Sequence, residues 1–136
     1  MRPPRTFVDT NILVYAFAEP FGTKGLKASE AMLKLGNQMI VSTQVLHEFY
    51  NVATRKLGMP SHQARQVIVD LSNGEVVSSS PPMLIRAIDL SDATKCSFWD
   101  ALIIQAAIDS RCVRLFTEDL NHGQLINGVR IENPLR

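Results

Sequence analysis

The chain reads as an α/β protein built on a mainly parallel sheet of about five strands. Two observations carry this. Short apolar segments with strand character alternate along the chain with longer segments whose apolar residues recur at helical spacing. Strands separated by helices of this length imply βαβ units, and such units place successive strands parallel. A third observation bears on function: carboxylates fall at strand ends, where parallel sheets build their sites.

The elements follow in order. Thr6-Phe7-Val8 is a short buried strand. Lys24 to Leu35 places Leu26, Ala28, Ala31, Met32 and Leu35 on one helical face, with Gly36 as the stop. Gln38 to Val41 is the second strand. Ser42 or Thr43 caps a helix running to about Lys56, with Val45, Leu46, Phe49, Val52 and Ala53 on its apolar face. Ser61 caps a further helix to about Leu71, and Glu75 to Ser78 is the third strand. Pro81 and Pro82 suit a helix's first turn, leading into a helix from Met83 to about Ala93. Phe98 to Ser110 is the most apolar helix. Val113 to Phe116 and Val129 to Ile131 are the fourth and fifth strands, with a turn at Asn121-His122-Gly123 between them.

Composition bounds the rest. A chain of 136 residues, 46% hydrophobic and 20% charged, suits one domain spanning residues 1–136. No apolar run approaches the roughly 20 residues that cross a bilayer. The basic start, Met1-Arg2-Pro3-Pro4-Arg5, lacks the apolar stretch of a secretion signal, so a cytoplasmic protein is expected. Cys96 and Cys112 have no metal-ligand spacing and read as reduced, structural thiols. His47, His62 and His122 form no zinc-binding pair.

Four acidic segments remain: Val8-Asp9-Thr10-Asn11, Leu46-His47-Glu48-Phe49, Phe98-Trp99-Asp100-Ala101 and Phe116-Thr117-Glu118-Asp119. Carboxylates set in apolar sequence need compensation if they are buried. Several converging on one cleft repel one another, and a hard divalent cation, Mg²⁺ or Mn²⁺, is the usual relief. Phosphodiester hydrolysis is the chemistry that commonly goes with it. Each residue also has an ordinary structural reading. Asp9 can cap a helix. Glu48 can be a solvated helix position. Asp100 can complement a helix dipole. Of Glu118 and Asp119, one can bind metal while the other is solvated. Thr117 can orient a water or cap the next turn.

Taken in order, these segments resemble the PIN-domain family, which includes the VapC toxin ribonucleases. The resemblance runs through Phe7-Val8-Asp9-Thr10-Asn11-Ile12-Leu13-Val14-Tyr15-Ala16 and Ser42-Thr43-Gln44-Val45-Leu46-His47-Glu48-Phe49. It continues through Trp99-Asp100-Ala101-Leu102-Ile103 and Leu115-Phe116-Thr117-Glu118-Asp119-Leu120, and so covers essentially the whole chain. It implies a three-layer α/β/α sandwich with an acidic pocket holding Mg²⁺ or Mn²⁺. Asp9, Glu48, Asp100 and Asp119 match the family's catalytic and metal-binding acids. Thr10, Asn11, Thr117 and Glu118 take supporting positions around them. The implied activity is a metal-dependent endoribonuclease leaving 5′-phosphate and 3′-hydroxyl ends, the toxin of a type II toxin–antitoxin pair.

The implied partners are an RNA substrate, a small antitoxin protein and a second copy of the chain. Phe17, Phe21, Leu57 and Met59 either serve such interfaces or belong to the core. A net charge of +1 gives no global signature for nucleic acid. Basic residues near the cleft are therefore required, from among Arg2, Arg5, Lys24, Lys27, Arg55, Lys56, Arg65, Arg111 and Arg114. Two other classes compete. A phosphotransferase of the haloacid-dehalogenase type wants a second aspartate where Asn11 stands, and a receiver-like phospho-acceptor lacks its acidic pair and late lysine. A catalytically silent PIN module that binds RNA or protein is the second class.

Overall fold

The computed structural model describes residues 2–136. The elements are β1 (Thr6–Val8), α1 (Thr10–Ala18), α2 (Thr23–Leu35), β2 (Met39–Ser42), α3 (Thr43–Asn51), α4 (Ser61–Leu71), β3 (Glu75–Val77), α5 (Pro81–Thr94), α6 (Phe98–Asp109), β4 (Arg114–Phe116), β5 (Leu125–Ile126) and β6 (Val129–Glu132). The sheet order is β3-β2-β1-β4-β6-β5. All neighbours are parallel except the antiparallel β5–β6 pair. Helices α1 to α4 form one packed set and α5 with α6 the other, giving the three-layer sandwich.

The central strands are apolar at nearly every position because both sheet faces are covered. Phe7, Val8, Ile40, Val41, Leu115 and Ile131 are all buried. They meet Ile12, Leu13, Val45, Phe49 and Ile104 from the helices.

The structure adds two elements not drawn from the sequence and corrects two helix boundaries. The sheet has six strands, one more than the five drawn from the sequence. The added strand, β5, is only two residues long and pairs through an Asn127-Gly128 turn with φ of 47° and 88°. That left-handed pair is the backbone a two-residue hairpin needs. A helix, α1, occupies Thr10–Ala18, where the sequence TNILVYAFA shows no polar face because neighbours surround it. Helix α3 is α-helical only to Asn51. It widens into a π-helical turn over Val52–Lys56, with the Leu57 N–H donating to the Val52 carbonyl at 3.2 Å. Finally, Pro60 rather than Ser61 sits at the α4 cap position.

The sheet reverses its winding direction between β1 and β4: β2 and β3 lie to one side, β4 and β6 to the other. In open parallel sheets, ligands bind beyond the strand ends at this switch point. Asp9 follows β1 and Thr117 follows β4, so both stand there.

Candidate active site

Asp9 is the deepest carboxylate, only 9% exposed. The Asp9 N–H extends the β1–β4 ladder by donating to the Phe116 carbonyl at 3.0 Å. Oδ1 accepts the Thr10 N–H at 2.7 Å and Oδ2 accepts the Thr117 hydroxyl at 2.9 Å. Asp9 therefore caps α1 and lies at the switch point at the same time. The two sequence readings of this residue are compatible.

Thr117 is fully buried. Its hydroxyl oxygen also accepts the Asp119 N–H at 3.2 Å. Asn11, from the first turn of α1, donates its side-chain amide to Asp119 Oδ2 at 2.7 Å. Asp9, Thr117, Asp119 and Asn11 thus join the end of β1 to the loop after β4.

The other two acids arrive on helices. Ser42 caps α3 by accepting the Val45 N–H at 3.2 Å, which sets Glu48 in the second turn. Ser97 caps α6 by accepting the Asp100 N–H at 3.0 Å, which sets Asp100 in the first turn. Glu48 and Asp100 are partly exposed and Asp119 is exposed, so the acids rise from a buried floor toward solvent.

Their mutual fields identify them as one group. Burial, resisted by the hydrogen bonds from Thr10 and Thr117, pushes the Asp9 carboxyl up to about 6, and the charges of Glu48 and Asp119 push the same way. Burial raises Glu48, against the Trp99 and Thr10 side chains that face it, and the charges of Asp100 and Asp119 add to the rise. Burial also raises Asp119, with Glu118 and Asp100 adding and Asn11 opposing.

Glu118 is engaged elsewhere. Its carboxylate accepts from the Tyr15 hydroxyl and from Lys24 Nζ, the latter at 3.0 Å. Lys24 also stands 5.1 Å from the centre of the Tyr15 ring. This cluster ties the loop after β4 to α1 and α2. Sequence reasoning gave no role to Tyr15. It also passed over Gln44, one helical turn before Glu48, a spacing that puts the two on one face.

The donor set suits a hard cation in kind: repelling carboxylates, with Glu48 Oε1 buried and without a hydrogen-bond partner. Among the described residues, no three His, Cys, Asp or Glu side chains are arranged to hold one metal ion as they stand.

The basic candidates divide. Arg5 is held by Glu75 and the Ser110 carbonyl, Lys27 by the Leu135 carbonyl, and Arg114 by Thr6 and Glu132. Arg55, Lys56 and Arg65 are exposed, with no ion pair among the described residues. Of the apolar candidates, Phe21 is 93% exposed, Phe17 and Leu57 are partly so, and Met59 packs on the core.

A doubly wound α/β domain with four acids around its switch point is the class defined so far. The chain belongs to the PIN domain family, whose model matches residues 6–125. Solved structures share the fold. A chain of a toxin–antitoxin complex from Klebsiella pneumoniae superposes with a TM-score of 0.73 at 26% identity, covering 95% of this chain and 97% of that one. VapC20 of Mycobacterium tuberculosis, a toxin that cleaves the sarcin–ricin loop, superposes with a TM-score of 0.71 at 18% identity, covering 92% and 98%. Comparison with curated proteins finds no match.

Proposed function

We propose that this chain is a divalent-metal-dependent endoribonuclease and the toxin of a type II toxin–antitoxin pair. One observation carries the reading. Asp9, Glu48, Asp100 and Asp119 come from four separate parts of the chain, and the charges of Glu48, Asp100 and Asp119 help raise the carboxyls of Asp9, Glu48 and Asp119. Such a group of acids is poorly explained by folding, because a buried carboxylate without a countercharge is destabilising.

In this reading Asp9, Glu48, Asp100 and Asp119 hold Mg²⁺ or Mn²⁺. When bound, the cation supplies an activated water and neutralises charge on the phosphoryl oxygens. Thr10 and Thr117 fix the Asp9 carboxylate, and Asn11 fixes Asp119. Their hydrogen bonds limit how far either acid can turn, which keeps the site in register for an in-line reaction. RNA phosphates approaching this acidic cleft need cations at its rim. Lys24, paired with Glu118 beside Asp119, is a basic candidate that the structure ties to this loop. Unpaired RNA can bend into such a cleft where a duplex cannot.

The Klebsiella pneumoniae neighbour comes from a complex with an antitoxin, which supports a protein partner for this chain. A homodimer and a cytoplasmic location belong to the same proposal. No helix among the described residues is long and apolar enough to cross a membrane.

One alternative is a PIN module that binds without cutting, since no three His, Cys, Asp or Glu side chains among the described residues are arranged to hold one metal ion as they stand. Calorimetric titration with Mn²⁺, paired with cleavage of a mixed RNA pool, separates the two. Metal binding with cleavage supports the nuclease. Metal binding without cleavage supports the module.

A further inference from the structure

Among the described residues, three buried side-chain polar atoms have no hydrogen-bond partner: Thr10 Oγ1, Gln44 Nε2 and Glu48 Oε1. Thr10 and Glu48 belong to the site. The Thr10 side chain faces Glu48. Gln44 lies four residues before Glu48 on α3, one turn below it on the same face. Gln44 is 8% exposed and Nε2 is closed to solvent.

A buried amide donor left unpaired is costly, and natural interiors rarely retain one. Folding alone is better served at this position by methionine, which has similar length and no polar atoms. The chain also shows how a glutamine in this relation behaves. Gln66 donates to Asp70 at 2.8 Å and Gln105 donates to Asp109 at 2.8 Å, each acid lying four residues after its glutamine on one helix. Gln44 and Glu48 repeat that spacing without a hydrogen bond between them, while the Thr10 and Trp99 side chains face Glu48.

We infer that Gln44 is a positioning residue for Glu48. With a cation bound, its amide would donate to Oε1 and hold the carboxylate's orientation. Groups that orient a metal ligand in this way commonly contribute about 10- to 100-fold to metal affinity. The inference rests on the nuclease reading above.

The test compares wild type, Gln44→Met and Asp100→Asn. Calorimetry measures Mg²⁺ affinity, thermal unfolding in chelator measures the metal-free fold, and NMR follows the Gln44 side-chain amide. The expected result is a Gln44→Met protein whose metal-free melting temperature is unchanged or raised, with Mg²⁺ affinity reduced about 10- to 100-fold. In wild type, the amide proton moves downfield as Mg²⁺ is added. A merely structural glutamine gives the opposite pattern: a lower melting temperature and unchanged affinity. Unchanged Mg²⁺ affinity in Gln44→Met overturns the inference and leaves the nuclease reading standing. Wild type that binds Mg²⁺ no better than Asp100→Asn overturns both.

Discussion

Replacing Asp9 with asparagine separates what the site needs from what the fold needs. Asp9 titrates near 6 in the folded chain against an ordinary 3.8. A difference of that size is worth about 3 kcal/mol between the two protonation states. The sign follows from linkage. A carboxyl raised on folding gives its full stabilisation below its unfolded value, and loses it as pH rises through its folded value. Asp9 therefore makes the metal-free protein less stable as pH climbs from about 4 to above 6. Glu48 and Asp119, also raised, act in the same direction. Glu75, lowered by its hydrogen bond to Arg5, acts oppositely, but its range lies below its ordinary 4.5.

Asparagine keeps an oxygen for the Thr10 N–H, and the Thr117 hydroxyl can turn to accept from the new amide. Urea unfolding in chelator at about pH 7.5 is expected to show Asp9→Asn more stable than wild type by about 1–3 kcal/mol. The gap narrows toward about pH 5, where the wild-type carboxyl is increasingly protonated. RNA cleavage by the same variant is lost. An Asp9→Asn protein no more stable than wild type at the higher pH would refute the reasoning.

Three further predictions concern the metal and the helix pairing. Mg²⁺ at about 100 times its dissociation constant should raise wild-type stability by about 2.7 kcal/mol and leave Asp9→Asn nearly unmoved. Trp99, the sole tryptophan, is 49% exposed and faces Glu48, so its emission should shift during the same titration; an unresponsive Trp99 would count against Mg²⁺ binding beside it. Gly25→Ala should destabilise by at least about 1–3 kcal/mol, because α2 crosses α1 too closely for a side chain. A Cβ there would lie 1.9 Å from the Glu19 carbonyl oxygen, and urea unfolding within about 0.5 kcal/mol of wild type would contradict that packing.

The parallel sheet was legible because its central strands are buried on both faces and bounded by helices with clear periodicity. Helix α1 was not, because α2 and α3 pack against it and leave TNILVYAFA no polar stripe to reveal a helical period. Strand β5 was too short to show alternation, although Asn127-Gly128 marks its hairpin. At the site, the four acids stood out because each interrupts apolar sequence. The resemblance already favoured Asp119 over Glu118, but the partners of the two acids could not be read from the sequence. Glu118 pairs with Tyr15 and Lys24 while Asp119 pairs with Asn11, and no local pattern encodes those contacts. Gln44 escaped notice because a glutamine in a helix is unremarkable until its burial is known.

Asp100 offers the most direct test of the nuclease reading, because it lies in the first turn of α6 and makes no side-chain hydrogen bond or ion pair within the described chain. Its loss should leave the fold intact. Purified wild type and Asp100→Asn are incubated with a mixed RNA pool, with and without Mg²⁺, and the RNA ends are sequenced. The expected result is new 5′-phosphate ends from wild type with Mg²⁺ alone, and none from the variant. Undiminished cleavage by Asp100→Asn would contradict the assignment.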